Sequence, residues 1–545
     1  MRPSASAPAG KAKVMNKLQE RLATLRPRAT ATPAHVRGLG AMALEKARAD
    51  PDRLILVEGG KRLTRAELVG ASLRLGGGLL ARGLVPGDAV AFQLPNWWEA
   101  CVINLAAALF GFRVVPLLTI YRESELRTML PACGVRAIFV PKSFKGYDYP
   151  ALVARVGHGP MEVFTVRGDA SSPDDLEALN RHAATEPRLP PADDVKLVLF
   201  TSGSTGHPKG VMHSHATIEM MARSVADFWS IRADDIFLVP SPIGHIGGSI
   251  YAFDFPWVAD CVAMLTDSWD PSTTAKLIDD CGITFMAGAT PFLEGLIAAA
   301  SAAGTGLMSL RRFICGGASV PPELVRRGLG QFPNAVVSRA YGSTEIPLAC
   351  PGIRTREEAW RRADTDGQIA SEVLILSDDG QPVADGLSGE IAIRAPQMLV
   401  GYLDPADEQG AFLPDGHFMM GDLGRIVDGG FIEITGRKKD IIIRKGENIS
   451  PLEIENALMR HDDVRQASVV GVPDQERGEM VVAFVIPVAG RSFDFAAMTA
   501  QLDRFGMARQ KFPERLYVVS ELPLNTVGKV QKNELRTLAR QMAEA

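Results

Sequence analysis

The chain has 545 residues, of which 46% are hydrophobic and 22% are charged. A chain of this length is too long for one hydrophobic core, so we expect at least two domains. The formal net charge of −4 provides no general attraction to nucleic acids or anionic membranes, and neither is expected as a partner.

Six cysteines are scattered along the sequence, and no two of them form a Cys-x-x-Cys pair. This pattern argues against a zinc site or a disulfide framework, and it favours a reducing, cytoplasmic compartment. The sequence has no run of about 18 uninterrupted apolar residues, so no membrane-spanning helix is predicted.

The first 38 residues differ in composition from the rest. They contain eight arginine or lysine residues, a single acidic residue, Glu20, and many alanines and prolines. This composition is typical of a disordered tail, and an Arg-rich, acid-poor segment is also typical of a transit peptide. We assign residues 1–40 to a disordered or targeting tail and leave that choice open.

From about residue 41 onwards, segments with helical periodicity alternate with short apolar runs. Thr64 and Glu67 have the spacing of a capping box, which predicts a helix ending near Arg82. A turn at 86–88 then leads into a predicted strand over 89–94. Continued alternation of this kind indicates parallel sheets that are covered by helices on both faces.

The most informative stretch follows a predicted buried strand at 197–200. It combines hydroxyls, glycines and one lysine: Thr201, Ser202, Gly203, Ser204, Thr205, Gly206 and Lys209. Glycines let backbone N–H groups turn toward an anion, while hydroxyls and an ammonium group complete its binding site. A Walker A loop would place the lysine directly after a glycine, and this stretch does not. It therefore predicts a phosphate-binding loop of another kind.

The string Thr-Ser-Gly-Ser-Thr-Gly-x-Pro-Lys-Gly at 201–210 resembles the signature loop of the adenylate-forming superfamily. That superfamily includes acyl-CoA synthetases, adenylation domains and luciferases. The resemblance extends over roughly residues 45–540, with further motif strings in the expected order. It implies an α/β fold with a large domain of helix-covered sheets over 41–438 and a small, mobile α+β domain over 439–545.

A glycine-rich bend contains His245, a position that could be incidental in any such bend. The resemblance places His245 at the mouth of an acyl pocket. The implied pocket residues are Ile243, His245, Ile246, Gly247, Gly248 and Ala340. Amino-acid-activating relatives carry aspartate where this chain has Ile246, and that carboxylate pairs with the substrate ammonium group. Isoleucine cannot do so, and we expect a substrate without an α-amino group.

Two predicted strands end in turns that the resemblance assigns to the nucleotide. The implied contacts are Gly316, Gly317, Ala318, Tyr341, Gly342 and Ser343, with Tyr341 able to stack on the adenine. In the same Tyr-Gly-Ser-Thr-Glu string, Thr344 is placed to reach the α-phosphate. Glu345 offers hard oxygen atoms, which suit Mg²⁺ because this ion prefers one or two carboxylates plus phosphate oxygens.

Two further strings complete the implied nucleotide site. Gly421-Asp422 stands where many relatives have Thr-Gly-Asp, and Met420 replaces the threonine in this chain. The two oxygens of Asp422 suit the two ribose hydroxyls. Arg437, in the string Gly-Arg-Lys-Lys-Asp, is implied to contact the ribose or a phosphate.

The small domain is implied to turn about Lys439, which occupies the hinge position of the relatives. Lys445 and Gly446 lie in a segment that resembles the loop facing the thiol acceptor. Ser450 is predicted to cap the first helix of this domain, with Pro451 at its first position. Finally, Lys529 matches the lysine that enters the active site during adenylation, where an aimed ammonium group offsets the negative charge that builds up.

The sequence is therefore identified as a member of the adenylate-forming superfamily, and its strings look most like those of medium-chain fatty acyl-CoA and cyclohexanecarboxylate-CoA ligases. The implied reaction uses ATP and coenzyme A as co-substrates and Mg²⁺ as cofactor. The implied catalytic residues are His245, Thr344, Glu345 and Lys529.

Several alternatives stay open. The acyl group could pass to a carrier-protein thiol or an amine instead of coenzyme A, or the chain could be a luciferase-like oxygenase. An alternative that is not an enzyme is a nucleotide-binding regulatory protein with an inactive site, and the intact motif residues argue against it. The identity of the acid and the oligomeric state, with a homodimer possible, are not determined.

Overall fold

The computed structural model describes residues 17–25, 32–157, 159–202, 208–317, 320–474, 476–524 and 529–544, without the side chains of residues 202, 543 and 544. Within these ranges the chain forms two sheets of seven strands, one sheet of four strands, a C-terminal sheet of five strands and a two-stranded hairpin.

The first part of the chain builds most of one seven-stranded sheet. Its elements are α1 (Lys17–Thr24), α2 (Leu39–Ala49), β1 (Leu54–Glu58), β2 (Lys61–Thr64), α3 (Arg65–Ala81), β3 (Ala89–Phe92), α4 (Trp98–Phe110), β4 (Arg113–Pro116), α5 (Glu123–Cys133), β5 (Val135–Pro141), β6 (Ser143–Phe144), β7 (Tyr147–Asp148), α6 (Tyr149–Val156), β8 (Glu162–Val166), α7 (Leu176–Asn180) and β9 (Val195–Ser202). The predicted capping box of α3 is confirmed, because Thr64 accepts from the Glu67 N–H and Glu67 accepts from the Thr64 N–H.

The middle part builds five strands of the second seven-stranded sheet, two strands of the first one and the whole four-stranded sheet. Its elements are β10 (Pro208–Ser214), α8 (His215–Trp229), β11 (Ile236–Val239), α9 (Ile246–Phe253), α10 (Phe255–Ala259), β12 (Val262–Leu265), α11 (Pro271–Cys281), β13 (Phe285–Gly288), α12 (Thr290–Ala303), β14 (Arg312–Gly316), α13 (Pro322–Gln331), β15 (Val336–Ala340), α14 (Arg356–Arg361), β16 (Glu372–Leu376), β17 (Gly389–Arg394), β18 (Gly401–Tyr402), β19 (Phe418–Val427) and β20 (Phe431–Arg437). Short 3₁₀ turns occupy Pro405–Glu408 and Lys438–Asp440.

The C-terminal part forms its own sheet with helices on both sides. Its elements are β21 (Ile442–Arg444), β22 (Glu447–Ile449), α15 (Pro451–Leu458), β23 (Val464–Asp474), β24 (Gly478–Pro487), α16 (Phe495–Arg504), a 3₁₀ turn (Arg509–Lys511), β25 (Arg515–Val518) and α17 (Lys532–Glu544). One apolar core lies between this sheet and α15–α16, and a second lies beneath α17. We call residues 442–544 the C-terminal unit.

Both seven-stranded sheets are mainly parallel. In one sheet the strand order is β15-β14-β13-β11-β12-β1-β2, and only the β1–β2 pair is antiparallel. In the other the order is β18-β10-β9-β4-β3-β5-β8, and the β18–β10 and β10–β9 pairs are antiparallel. The strand pairs of the four-stranded sheet are all antiparallel.

The helices cover both faces of these two sheets. The largest core contains side chains from both sheets together with α3, α4 and α8–α10, so these helices lie between the sheets. A second core packs α11–α13 on the outer face of the sheet that contains β11–β15. A third core packs α5 and α6 on the outer face of the sheet that contains β3–β5. Parallel strands need this cover, since both of their faces are apolar. The predicted fold class is confirmed.

Two local expectations are wrong. Residues 17–24 are not part of a disordered tail, because they form α1, whose Leu18 is 1% exposed in the core beneath α5. Ser450 stands at the N-cap position of α15, yet its hydroxyl does not cap that helix. It donates instead to the Thr435 carbonyl of β20, which ties the C-terminal unit to the preceding sheet.

Among the described residues, no helix combines the length and the apolar character that crossing a bilayer requires.

Candidate active site

Most of the predicted site residues follow the carboxyl ends of parallel strands. β11, β14 and β15 belong to one sheet and end at Val239, Gly316 and Ala340. Because parallel strands present their carboxyl ends at the same edge, the loops that follow them lie side by side. The fold thus places the predicted acyl loop, the predicted adenine turn and the Tyr341–Glu345 string at one edge of this sheet.

Asp422 contacts two other predicted nucleotide residues, Tyr341 and Arg437. It lies on β19 opposite Arg437 of β20, whose Nε is 3.2 Å from its Oδ1. The Tyr341 hydroxyl donates to its Oδ2 over 2.8 Å. Burial raises the pKa of Asp422, and the charge of Arg437 acts in the opposite direction. Residues from three separate sequence motifs are therefore in direct contact.

Tyr341 is held as a hydrogen-bond donor. Burial, followed by the negative charge of Asp422, raises the pKa of its phenol well above the ordinary value. The hydroxyl therefore stays protonated at neutral pH and can orient the carboxylate.

Thr344 is held through its backbone by a histidine of β10. The carbonyl oxygen of Thr344 lies 2.7 Å from Nε2 of His213. Because a carbonyl only accepts, that ring nitrogen must carry the proton. Burial lowers the pKa of His213 to about 4, so the ring is neutral at physiological pH. His213 thus links the strand that leaves the phosphate loop to the Thr344–Glu345 turn.

Glu345 is oriented by a tyrosine of the edge strand β18. The Tyr402 hydroxyl donates to Oε1 of Glu345 over 2.8 Å. Burial, together with the charge of Glu345, raises the pKa of Tyr402 far above its ordinary value, which keeps the hydroxyl a donor. A carboxylate has about four lone-pair positions, so this bond leaves capacity for a metal ion.

Lys209 contacts an acidic residue and an aromatic ring next to β18. Its Nζ lies 3.2 Å from Oδ1 of Asp407 and 5.3 Å from the centroid of the Tyr402 ring. The ammonium group predicted to bind phosphate is thus paired with a carboxylate in this structure. Both Asp407 and Tyr402 belong to the segment 401–408.

Part of the predicted phosphate loop lies outside the described residues. β9 and β10 form an antiparallel pair in which Thr201 lies opposite Lys209, so the loop connects two adjacent strands. The side chain of Ser202, the residues Gly203, Ser204, Thr205 and Gly206, and the predicted adenine contact Ala318 are not described. Their roles stay predictions.

Lys529 reaches this region from the C-terminal unit. Burial, together with the charges of Arg437 and Lys439, lowers the pKa of its ammonium group to about 8, while Asp422 and Glu345 act to raise it. The same lysine acts on His245, whose pKa falls to about 4 mainly through burial. Lys529 is therefore close enough to the nucleotide residues and to the acyl-loop histidine for their charges to interact.

The loop that carries His245 is fixed by Asn96. The side-chain amide of Asn96 donates to the carbonyls of Val239 and Ser241 over 3.0 and 2.9 Å, and its Oδ1 accepts from the Ile243 N–H over 3.0 Å. His245 itself caps α9 by accepting from the Gly247 N–H at Nδ1 over 3.1 Å. A neutral His245 therefore carries its proton on Nε2.

The remaining predicted acyl-pocket residues are apolar and largely buried. Ile243 and Ile246 are 0% and 6% exposed and belong to the main core, and Ala340 packs against that core. Gly248 is buried and Gly247 is partly exposed. None of these side chains can pair with an ammonium group, in agreement with the expectation from Ile246.

Small residues bring the adenine segments close together. A Cβ atom on Gly316 would lie 2.7 Å from the Ala340 carbonyl oxygen, and one on Gly342 would lie 2.6 Å from the Leu348 nitrogen. Gly317 and Ser343 directly follow these two glycines. Gly317 is exposed and Ser343 is partly exposed. No larger residue fits at Gly316 or Gly342 without moving backbone atoms.

The predicted hinge residue, Lys439, lies in the 3₁₀ turn Lys438–Asp440 between β20 and β21. Desolvation and then the charge of Arg437 lower its pKa. The predicted acceptor-facing residues lie elsewhere, in the exposed two-residue turn of the β21–β22 hairpin. Lys445 and Gly446 both have positive φ, 51° and 83°, as the tight turn of a hairpin requires.

Four residues that sequence reasoning did not assign to the site contribute to it. They are Asn96, His213, Tyr402 and Asp407. Their side chains hold segments that carry predicted functional residues, and His213 follows the predicted phosphate loop closely in sequence. A signal was present for Tyr402, since Gly401-Tyr402 matches a turn of the superfamily, but that match predicts no partner.

Glu345 fits the requirements of a magnesium ligand. Mg²⁺ is usually bound by one or two carboxylates together with substrate phosphates, and it needs no cage made only of protein groups. Consistent with this, the described residues contain no group of three or more His, Cys, Asp and Glu side chains that could hold a metal ion alone. The carboxylate of Glu345 would therefore serve an ion that arrives with its phosphates.

Comparisons with known proteins identify the family of this chain. The profile described as "AMP-binding enzyme" matches residues 44–403, and that described as "AMP-binding enzyme C-terminal domain" matches residues 453–529. A medium-chain fatty-acid–CoA ligase of Escherichia coli is 34% identical over 90% of this chain and 88% of its own length. A 3-[(3aS,4S,7aS)-7a-methyl-1,5-dioxo-octahydro-1H-inden-4-yl]propanoyl:CoA ligase of Mycobacterium tuberculosis is 33% identical over 90% of this chain and 96% of its own length.

A solved structure adds information on the arrangement of the two parts. ATP-bound MatB from Rhodopseudomonas palustris matches with a TM-score of 0.83 at 28% identity, covering 93% of this chain and 99% of that chain. The apo structure of MatB matches with a lower TM-score of 0.74, although the identity is 29%. The present chain is thus more similar to the nucleotide-bound arrangement of that protein.

The family profile covers more than half of the sequence, and full-length relatives named as CoA ligases exceed 30% identity. The contacts of Asp422 with Tyr341 and Arg437, and the proximity of Lys529, bring the corresponding motifs together in space. This chain belongs to the AMP-binding enzyme family, and within it to the acyl-CoA synthetase branch.

Proposed function

We propose that this protein is an ATP-dependent, AMP-forming carboxylic acid–CoA ligase. The observation that carries the proposal is that Lys529, a residue of the C-terminal unit, lies within charge-interaction range of Asp422 and Glu345, which belong to the preceding part of the chain. This arrangement would place one ammonium group where a carboxylate and the α-phosphate of ATP meet. We also propose a cytoplasmic location, supported by six cysteines that are all unpaired thiols.

In the first half-reaction, a carboxylate oxygen of the acid attacks the α-phosphorus of ATP. The bond between the α-phosphorus and the bridging oxygen breaks, and pyrophosphate leaves with that oxygen. No protein nucleophile is needed, and positioning and charge neutralisation supply the catalysis. Lys529 and Thr344 are proposed to stabilise the reacting phosphate, and Lys209 is proposed to bind the leaving phosphates.

The bound Mg²⁺ would neutralise phosphate charge, and Glu345 is the residue proposed to hold it. Each oxygen of Asp422 has one protein partner, Arg437 at Oδ1 and Tyr341 at Oδ2, and keeps a lone-pair position that is proposed to receive a ribose hydroxyl. Lys209 must exchange Asp407 for a phosphate when ATP binds. That exchange replaces one anionic partner with another and leaves no unpaired ammonium group.

In the second half-reaction, the thiolate of coenzyme A attacks the acyl carbon and AMP leaves. Because the charges of Asp422 and Glu345 act on Lys529, we take its present position as the one used for adenylation, and we propose that the C-terminal unit turns about Lys439 between the two steps. The Lys445–Gly446 turn would then face the acceptor. Using one site for two successive half-reactions makes such a rotation an effective gate.

The acid is proposed to be a medium-chain, alicyclic or aryl carboxylic acid without an α-amino group. Ile243 and Ile246 make the predicted pocket apolar, and the neutral ring of His245 brings no positive charge at pH 7. Burying an unpaired ammonium group there would be costly. The two named relatives act on a medium-chain fatty acid and on a propanoate with a fused bicyclic group, which supports this range.

The test is ATP–pyrophosphate exchange with a panel of acids that differ in chain length and ring content. We expect exchange that depends on Mg²⁺ and on the acid, and a lower rate for α-amino acids than for their deaminated counterparts. Absence of exchange with every acid, for a folded protein, would contradict the proposed adenylation.

The acceptor is tested separately by analysing products with coenzyme A, a phosphopantetheinylated carrier protein or a simple amine. We expect the acyl thioester of coenzyme A. If only the carrier protein or the amine were acylated, adenylation would stand and the assignment of coenzyme A would be wrong. For substitutions of Lys529, the matched control is Lys511→Met, since Lys511 pairs with Glu453 on the surface of the same C-terminal unit.

A further inference from the structure

The helix α1 contacts the segment 401–408, which lies next to the candidate nucleotide site. α1 precedes residue 44, where the match to the family profile begins. Its Leu18 is buried in the core beneath α5, and Leu22 and Leu25 pack against the same core. These apolar contacts fix the position of α1 and direct its one arginine, Arg21, toward β18.

Arg21 is a buried cation with two partners in that segment. Its side chain is 8% exposed, Nε donates to the Tyr402 carbonyl over 2.8 Å, and Nη2 pairs with Glu408. Glu408 in turn accepts from the Tyr402 N–H over 3.1 Å. Both backbone polar groups of Tyr402 are therefore held by the Arg21–Glu408 pair.

The position of Tyr402 explains why it needs these partners. β18 is the edge strand of its sheet, and it bonds to β10 through Val400 N–H and Leu403 N–H. The backbone groups of Tyr402 point away from β10, where an edge strand has no neighbouring strand. Arg21 and Glu408 take the place of that neighbour.

Gly401 provides a separate sign that α1 and β18 are fitted to each other. A Cβ atom at this position would lie 2.8 Å from Nη2 of Arg21, from Oε1 of Glu408 and from Cδ1 of Leu25. A Cβ atom here would push the ends of these three side chains aside, so glycine lets the Arg21–Glu408 pair lie directly against β18.

The side chains of the same segment point to the nucleotide residues. The Tyr402 hydroxyl donates to Glu345, its ring lies beneath the ammonium group of Lys209, and Asp407 pairs with that lysine. A shift of β18 would therefore change the positions of both Glu345 and Lys209. The contacts form a continuous path from Arg21 through Tyr402 to Glu345.

We propose that Arg21 and Tyr402 are positioning residues for Mg·ATP, so that α1 acts as a buttress of the nucleotide site. Arg21 fixes the backbone of Tyr402, and the Tyr402 hydroxyl fixes the carboxylate of Glu345. This inference rests on the proposed function, in which Glu345 holds Mg²⁺. A residue that orients a metal ligand typically changes metal affinity by about 10- to 100-fold when it is removed.

The test compares Tyr402→Phe, Arg21→Met and Arg21→Lys with the parent protein. We expect the Mg²⁺ concentration for half-maximal pyrophosphate exchange to rise about 10-fold in Tyr402→Phe and Arg21→Met. Arg21→Lys keeps the charge but lacks the planar fork, so an intermediate value is expected. The double variant should be no worse than the more affected single variant, because both changes act through Glu345.

A second readout does not depend on catalysis. The increase in melting temperature on adding ATP with Mg²⁺, relative to ATP alone, should shrink in both single variants. Lys17→Met is the matched control on the same helix, because Lys17 pairs with Asp404 on the surface, where such pairs contribute little. Its Mg²⁺ dependence should equal that of the parent.

Two outcomes would overturn the inference. One is an unchanged Mg²⁺ requirement in folded Tyr402→Phe, which leaves α1 untouched and therefore tests the path even if Arg21→Met fails to fold. The other is a lower melting temperature of the Arg21 variants with an unchanged Mg²⁺ requirement, which would make α1 a structural clamp only. If the parent protein shows no exchange with any acid, the proposed function fails, and that result is distinct from either outcome.

Discussion

Individual side chains in this site derive their properties from groups that come from distant parts of the chain. Lys529 is the clearest case. Its pKa of about 8 reflects burial against the large sheets and the opposing effects of two cations and two carboxylates. The same lysine at an exposed loop tip would keep its ordinary pKa near 10.4. Its predicted role can therefore be tested through its titration as well as by removal.

Replacing Lys529 with alanine should affect one half-reaction and spare the other. We expect pyrophosphate release to fall by about 100-fold or more, because losing one preorganised charge contact costs about 3 kcal/mol. Thioester formation from supplied acyl-AMP should continue. Quenched-flow assays of the two half-reactions measure this difference, and an equal loss in both would contradict the assignment.

The pH dependence of adenylation should report the titration of Lys529. The ammonium form is the active one, so kcat/KM for Mg·ATP, which reflects the free protein, should decline as the pH rises through about 8. Bound phosphates favour the ammonium form, which should move the decline in kcat to higher pH. In Lys529→Arg the group stays charged, and its alkaline decline should disappear. A decline at the same pH in this variant would assign the titration to another group.

At the scale of elements, the 3₁₀ turn Lys438–Asp440 is the connection on which the proposed rotation depends. On its two sides, Lys438 pairs with Glu390 of β17 over 2.5 Å and Asp440 pairs with Arg536 of α17 over 3.1 Å. The first contact fixes the turn to the large sheets, and the second fixes it to the C-terminal unit. Lys439 lies between these anchors, where a change in backbone torsion would turn one part relative to the other.

Substituting proline for Lys439 should slow the second half-reaction. Proline restricts φ to about −65°, which limits the torsional change that rotation requires. Adenylation should be spared, since the described arrangement already places Lys529 near the nucleotide residues. The ratio of thioester formation to pyrophosphate release should fall in Lys439→Pro.

Lys439→Ala is the matched control, because it removes the side chain and keeps the backbone freedom. Its ratio of the two half-reaction rates should remain that of the parent. A second step unaffected in Lys439→Pro would rule out the hinge at this position.

At the scale of the whole molecule, buried histidines connect the site to the stability of the fold. His213 and His215 are buried and His245 is partly buried, and desolvation is the main cause that lowers their pKa values to about 4, 3 and 4. His213 and His215 lie at the junction of β10 and α8, and β10 is the strand that leaves the predicted phosphate loop. Protonating any of them would place a positive charge in a core that offers little solvation.

This predicts a loss of stability on mild acidification. The unfolded chain binds protons at these histidines below about pH 6.5, whereas the folded chain binds them only below pH 3 to 4, so unfolding takes up protons in that window. The free energy of unfolding should therefore fall as the pH drops from 6.5 toward 4, by up to about 1.4 kcal/mol per pH unit for each histidine. Urea unfolding at a series of pH values measures this slope.

His215→Gln should lower the slope of unfolding free energy against pH by the amount that corresponds to about one proton taken up on unfolding. His182→Gln, a change at an exposed position, should leave the slope unaltered. An equal slope in the His215 variant and the parent would contradict the role of burial.

Much of this molecule could be predicted from its sequence. The fold class followed from the alternation of helical and strand patterns, and the family followed from strings such as Tyr-Gly-Ser-Thr-Glu. The helix–strand pattern could not predict α1, because a short basic segment has no local signal for the apolar surface beneath α5. The capping role predicted for Ser450 was wrong since a partner on β20 competes for its hydroxyl.

Periodicity and motif spacing are local properties of the chain, and they were enough to predict which residue types follow which strands. The contacts by which Tyr402 orients Glu345, Asp407 pairs with Lys209 and Arg21 holds a backbone 381 positions away became known from the packed fold. These hydrogen bonds and ion pairs depend on distances of about 3 Å, which are set when separate elements pack together. No local pattern encodes those distances, and they become visible only once the sheets and helices are assembled.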